Sequence, residues 1–137
     1  MIVADTSGLL AYFNASEPSH GRVTAAVNDS NDPLVVSPLV LAELDHLLAS
    51  RHGVEAEVRV LEELAQGSWL LPPFSADDLG RAAELVTRYG DQKIGLTDAS
   101  LVVLAQRFAT RRILTLDRRH FEVVRPVDGG RFTILPS

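Results

Sequence analysis

Short apolar runs alternate with longer amphipathic stretches along the whole chain. Ile2-Val3-Ala4 is the first run; it stops at Asp5-Thr6-Ser7, after which Leu9, Leu10, Tyr12 and Phe13 predict a short helix opened by a capping residue. A second helix is expected between Ser16 and Asn28, with Pro18 near its start, followed by a polar loop to Pro33. Leu34-Val35-Val36 reads as the next strand. Pro38 to His52 and Val54 to Gln66 form a predicted antiparallel helix pair, with Gly53 at the turn between them. Trp69-Leu70-Leu71 is expected as a third short strand, closed by Pro72-Pro73. Ser75-Ala76-Asp77-Asp78 carries a capping signature for an amphipathic helix to Tyr89, and a loop with Asp91 and Gly95 follows. Thr97-Asp98 open a helix through Phe108 whose residues are apolar nearly all round, so it is expected to be central. Ile113 to Leu116 and Phe132 to Leu135 are the last strand candidates, separated by a basic segment. Short apolar strands alternating with helices predict an α/β fold: a three-layer α/β/α domain around a mostly parallel sheet, one domain over residues 1–137.

Composition narrows the chemistry. With 46% apolar and 23% charged residues the chain is too hydrophobic to be a disordered tail. The absence of cysteine excludes disulfides, thiolate metal sites and cysteine nucleophiles, so any metal must sit on oxygen or histidine. No apolar run approaches the roughly 18 residues of a membrane span, and the first residues lack a basic flank, so a soluble cytoplasmic protein without membrane contact is expected. The net charge of -5 argues against coating nucleic acid by bulk electrostatics, but the average hides an asymmetry. Between Arg107 and Arg125 six arginines face two acids, making that stretch +4 and leaving -9 elsewhere. Arg112, Arg118 and Arg119 are the candidates there for contacts to a phosphate backbone.

In an open parallel sheet, ligands bind beyond the carboxyl ends of the strands. Asp5 and Asp117 each end an apolar run there, and Asp98 lies in the first turn of the central helix. Glu43 has Leu39, Val40 and Leu47 as same-face neighbours, which points its carboxylate toward buried surroundings. Singly, each acid has a structural explanation as a helix cap, a dipole partner or half of a buried ion pair. Together, converging carboxylates without cations would repel one another, so the set implies a divalent ion, and all-oxygen ligation selects Mg2+ or Mn2+. Periodicity alone does not choose Glu43 over Asp45, nor exclude Asp45 or Asp91 in favour of Asp117. His20, His46, His52 and His120 show no metal-binding spacing and read as surface or core-edge residues. No GxGxxG, Walker A or GxSxG motif supports a dinucleotide, nucleotide-triphosphatase or serine-hydrolase reading.

Four stretches carry a resemblance: Val3-Ala4-Asp5-Thr6-Ser7, Ser37-Pro38-Leu39-Val40-Leu41-Ala42-Glu43-Leu44, Gly95-Leu96-Thr97-Asp98-Ala99, and Leu114-Thr115-Leu116-Asp117-Arg118-Arg119-His120-Phe121. In order and spacing the chain resembles PIN-domain ribonucleases, specifically the VapC-type toxins of type II toxin–antitoxin pairs. The resemblance implies a Mg2+-dependent endoribonuclease that cuts RNA phosphodiester bonds and inhibits translation and growth. Its acids fall on Asp5, Glu43, Asp98 and Asp117, with Thr6 and Thr115 as hydrogen-bonding support, and it takes Glu43 over Asp45. It further implies a homodimer and a VapB-like antitoxin whose C-terminal segment crosses the active-site groove. Attack by water would leave a 5′-phosphate and a 3′-hydroxyl. The competing readings are a non-catalytic interaction domain whose acidic groove binds a basic peptide, and a structure-selective DNA nuclease.

Overall fold

The computed structural model describes residues 1–137. In chain order the elements are β1 (Ile2–Ala4), α1 (Thr6–Phe13), α2 (His20–Ser30), β2 (Leu34–Val36), α3 (Pro38–His52), α4 (Val54–Gln66), α5 (Ala76–Arg88), a 3-10 turn (Gly90–Gln92), α6 (Leu96–Arg107), β3 (Arg112–Leu114), α7 (Arg118–Val123) and β4 (Thr133–Leu135). The sheet order is β2-β1-β3-β4, and every pair is parallel, as the alternation of strands and helices predicts. Successive strand side chains point to opposite faces, yet Ile2, Val3 and Ala4 are all fully buried, so helices cover both faces of the sheet. No helix is long and apolar enough to cross a membrane.

Three details differ from the sequence reading. Trp69-Leu70-Leu71 is not a strand: Leu70 makes one parallel bridge to Val35, with its N–H donating to Leu34 O at 2.9 Å and its carbonyl accepting from Val36 N at 2.8 Å. Pro72 and Pro73 have no N–H to continue the ladder, and Trp69 is drawn instead into an aromatic cluster, edge-on to Tyr12 and tilted against Phe13. The basic segment after Asp117 is a helix, α7, seated on the core by Phe121 and Val124. The second helix begins at His20, two residues beyond Pro18.

The register places the site. Ala4, Val36 and Leu114 lie in one row, paired across β2, β1 and β3. The next residue of each strand, Asp5, Ser37 and Thr115, therefore emerges side by side at the carboxyl edge. Close packing fixes α1 against that edge: a Cβ at Gly8 would lie 2.7 Å from the Leu114 carbonyl oxygen, so only glycine lets the helix approach the strand this closely. On β2, Ser37 caps α3 by accepting from Leu39 N at 3.1 Å. Its hydroxyl also meets that of Ser100 at 2.8 Å, and Ser100 in turn donates to Thr97 O at 2.6 Å. Both serines are fully buried, and the chain of hydroxyls ties the start of α3 to the start of α6.

Candidate active site

Asp5 is the most enclosed of the four candidate acids, 7% exposed at the end of β1. Its Oδ1 accepts from Thr6 N at 2.8 Å, which also caps α1. Its Oδ2 accepts from Thr115 Oγ1 at 2.7 Å and from Ser7 Oγ at 3.2 Å. Those hydroxyls are held in turn by the backbone of the neighbouring segment, Asp117 N donating to Thr115 Oγ1 and Leu116 N to Ser7 Oγ, both at 2.9 Å. Burial pushes the Asp5 carboxyl above its ordinary range; the three hydrogen bonds oppose that rise, and the charge of Glu43 adds to it.

Asp98 projects from the first turn of α6, its side chain 21% exposed. Burial raises its pKa to about 6, helped by the charge of Asp5 and, more weakly, of Asp117 and Glu43, while His120 opposes the rise. Glu43 on α3 thus acts on both Asp5 and Asp98. Asp45, its rival in sequence, faces the other way: its carboxyl meets Glu57 of α4, whose pKa is raised mainly by that contact. Asp91 lies exposed in the 3-10 turn and does not act on the Asp5 or Asp98 carboxyls.

Several expected roles need correction. Glu43 is exposed at the rim and not directed into buried surroundings, because α3 buries the stripe Val40, Leu44 and Leu48 and turns Glu43 to its edge. Thr6 supports Asp5 through its backbone N–H only; its hydroxyl is buried without a hydrogen-bond partner. Arg112 stands at the start of β3, the opposite end from the site, and is ion-paired with Asp32. Arg118 is at the correct edge, but its guanidinium is committed to Pro136 O at 3.1 Å and Glu122 at 3.5 Å. Of the three arginines, Arg119 alone is exposed at this edge without an ion pair or side-chain hydrogen bond.

Two participants escaped sequence reasoning. Ser7 is one, bridging Asp5 and Thr115. His120 is the other, its Nδ1 lying 3.0 Å from Asp117 Oδ2 and 3.3 Å from Asp98 Oδ2. The spacing Asp117 to His120, i to i+3 at a helix start, was the legible signal.

None of the four acids has an arginine or lysine partner, so the buried-ion-pair explanation fails for Glu43. Asp98 and Asp117 make no cap hydrogen bond either, whereas Asp5 does cap α1. Nor do three acidic or histidine side chains converge tightly enough to cage an ion directly. Asp5 is held by hydroxyls, Asp98 and Asp117 lean to His120, and Glu43 stands at the rim. This donor set fits a hard cation that keeps part of its water shell: every donor is a carboxylate oxygen, and the charges of the other three all reach Asp98.

Residues 2–126 match the family model described as the PIN domain. Ribonuclease VapC26 of Mycobacterium tuberculosis (strain ATCC 25618 / H37Rv) is 56% identical over 135 residues, covering 98% of this chain and 100% of that protein. The fold is similar to Mycobacterium tuberculosis VapC20, described as a sarcin–ricin loop cleaving toxin, with a TM-score of 0.77 and 24% identity over 85% of this chain and 90% of that one. It is also similar to VapBC2 from Rickettsia felis bound to a DNA fragment from their promoter, with a TM-score of 0.69 and 19% identity over 98% of this chain and 97% of that one.

Proposed function

The chain belongs to the PIN-domain family as a VapC-type endoribonuclease, and from that premise we propose that Asp5, Glu43, Asp98 and Asp117 hold Mg2+ or Mn2+ with which it hydrolyses RNA in the cytoplasm. The observation that carries this reading is electrostatic: Asp5, Asp117 and Glu43 all raise the Asp98 carboxyl, and no guanidinium or ammonium offsets them. When bound, the ion would lower the pKa of a water and neutralise charge on the phosphoryl oxygens.

The residues of the chain do the rest. Thr115, Ser7 and the Thr6 N–H fix both oxygens of Asp5, so this carboxylate meets its ligand without reorganising. Ser37 and Ser100 hold α3 and α6 in register, which keeps Glu43 opposite Asp98. Arg119 gives the RNA backbone a cation beside an otherwise acidic edge. Water adds to phosphorus in line with the departing oxygen, the P–O3′ bond breaks, and a 5′-phosphate and 3′-hydroxyl result. The partner that restrains the activity is a VapB-like antitoxin, and a second copy of the chain completes a homodimer; Val54 and Val58, exposed on α4, support an apolar contact there. The likeness to a named ribonuclease favours this reading over a peptide-binding domain or a DNA nuclease.

The test is RNA cleavage in Mg2+ by Asp5→Asn and Asp98→Asn variants with unchanged circular dichroism. Both should lose cleavage. Wild-type rates in both would refute the assignment.

A further inference from the structure

We propose that Ser7 is a positioning residue for the acidic site: its hydroxyl ties the backbone that carries Asp117 to Asp5, and so sets the spacing at which these two acids meet one cation. This rests on the metal-dependent reading above. The sheet ladder stops short of Asp117. Strand β3 ends at Leu114 and the Thr115 N–H still reaches Leu135 O at 2.9 Å, but neither Leu116 nor Asp117 gives its N–H to a backbone carbonyl. Both amides end on hydroxyls instead, Leu116 N on Ser7 Oγ and Asp117 N on Thr115 Oγ1, each at 2.9 Å.

Counting protons fixes the direction of these bonds, because a hydroxyl has only one to give. Thr115 donates its proton to Asp5 Oδ2 at 2.7 Å. In the 3.2 Å contact between the two hydroxyls Ser7 is therefore the donor, and it shares that proton with Asp5 Oδ2, also at 3.2 Å. Two consecutive amides thus lead through two hydroxyls to one carboxylate oxygen. The Thr115 link is local, two residues from the amide it accepts, whereas the Ser7 link crosses 109 residues of sequence from α1. It is Ser7 that holds the start of the connection from β3 to α7 against the first helix. Its own place is fixed on both sides: Thr6 N donates to Asp5 Oδ1 at 2.8 Å, and Gly8 packs on the Leu114 carbonyl too closely to admit a Cβ. Hydrogen-bonded groups behind metal-binding side chains orient them, and their loss typically costs ten- to a hundredfold in metal affinity.

The experiment is calorimetric titration of Mn2+ into the metal-stripped full chain, without RNA and well below its melting temperature. Ser7→Ala is expected to weaken Mn2+ binding by roughly ten- to a hundredfold. In an Asp117→Asn background the same substitution should cost clearly less, because one of the two acids it spaces is already impaired. Hydrogen exchange of the metal-free chain, followed by NMR, reads the tie directly: in Ser7→Ala the Leu116 amide should exchange faster by roughly fivefold, while the amides of β1 and β3 keep their protection. A lower melting temperature with Mn2+ affinity unchanged would overturn the proposal and leave Ser7 a structural residue. An equal loss of affinity in both backgrounds would also overturn it, since Ser7 would then act through Asp5 alone. A wild-type chain that takes up no Mn2+ would instead bring down the metal reading beneath it, and this inference with it.

Discussion

Replacing Asp98 by asparagine should stabilise the metal-free protein, and the effect should depend on pH in a direction fixed by the site. The Asp98 carboxyl is raised from 3.8 to about 6 by burial and by neighbouring negative charge. At 1.36 kcal/mol per unit, that shift corresponds to about 3 kcal/mol of strain against ionising it in the fold. The residue is 21% exposed, so solvent screening trims this figure, which is an upper bound. Below pH 3.8 the carboxyl is protonated in both folded and unfolded chains, and the full stability is present. Stability is lost as the pH rises through the window from 3.8 to 6, and the deficit is constant above it. Asparagine matches aspartate closely in size and shape, so little else is removed. In excess chelator at pH 7.5, Asp98→Asn should melt higher than wild type by up to about 10 °C, and near pH 4 the two should melt together. Saturating Mg2+ at about a hundred times its Kd should then stabilise wild type by about 2.7 kcal/mol and leave the variant unmoved. A variant that melts several degrees lower at pH 7.5 in chelator, or a difference that ignores pH, would refute the reasoning and make Asp98 a structural residue.

Thr115→Val removes the shortest hydrogen bond to Asp5 and orphans the Asp117 N–H; urea denaturation should show a loss of about 1–3 kcal/mol. Losing a bond to the ionised form raises the Asp5 pKa further, so the acid limb of the kcat/KM profile should move to higher pH. For RNA binding measured in chelator across a salt series, Arg119→Ala should flatten the logarithmic salt slope by about 0.7. Arg112→Ala, at the far edge with Asp32, should leave that slope unchanged. Gly8→Ala should cost about 1–3 kcal/mol in thermal or urea melts, since the added Cβ meets the Leu114 backbone carbonyl as well as its side chain, and the backbone cannot swing away.

Local pattern was a good guide wherever one interaction dominates. Helix α3 runs from Pro38 to His52 as its opening proline and closing glycine predict, and β1 and β2 end where their apolar runs end. The placement of Asp5, Asp98 and Asp117 at one edge also follows from strand order and direction, which alternation makes readable. What pattern does not carry is the azimuth of a side chain against partners remote in sequence. Glu43 has apolar neighbours on its own helix, but how much surface α3 buries is decided by the elements packed against it. Arg112 and Arg118 share a basic stretch with Arg119, yet Asp32 and Pro136 determine which guanidinium is left free. Thr6 gives Asp5 the expected hydrogen-bonding support, but the fold uses its amide and leaves its hydroxyl without a partner. For His120 the spacing to Asp117 was visible, but its approach to Asp98 depends on how α7 docks.

The hydrogen bond between Thr115 and Asp5 closes a span of 110 residues. Asp5 and Glu43 are synthesised long before Thr115 and α7, which complete the edge. The carboxylate of Asp5 therefore receives its shortest tether only when the last fifth of the polypeptide docks against the first strand.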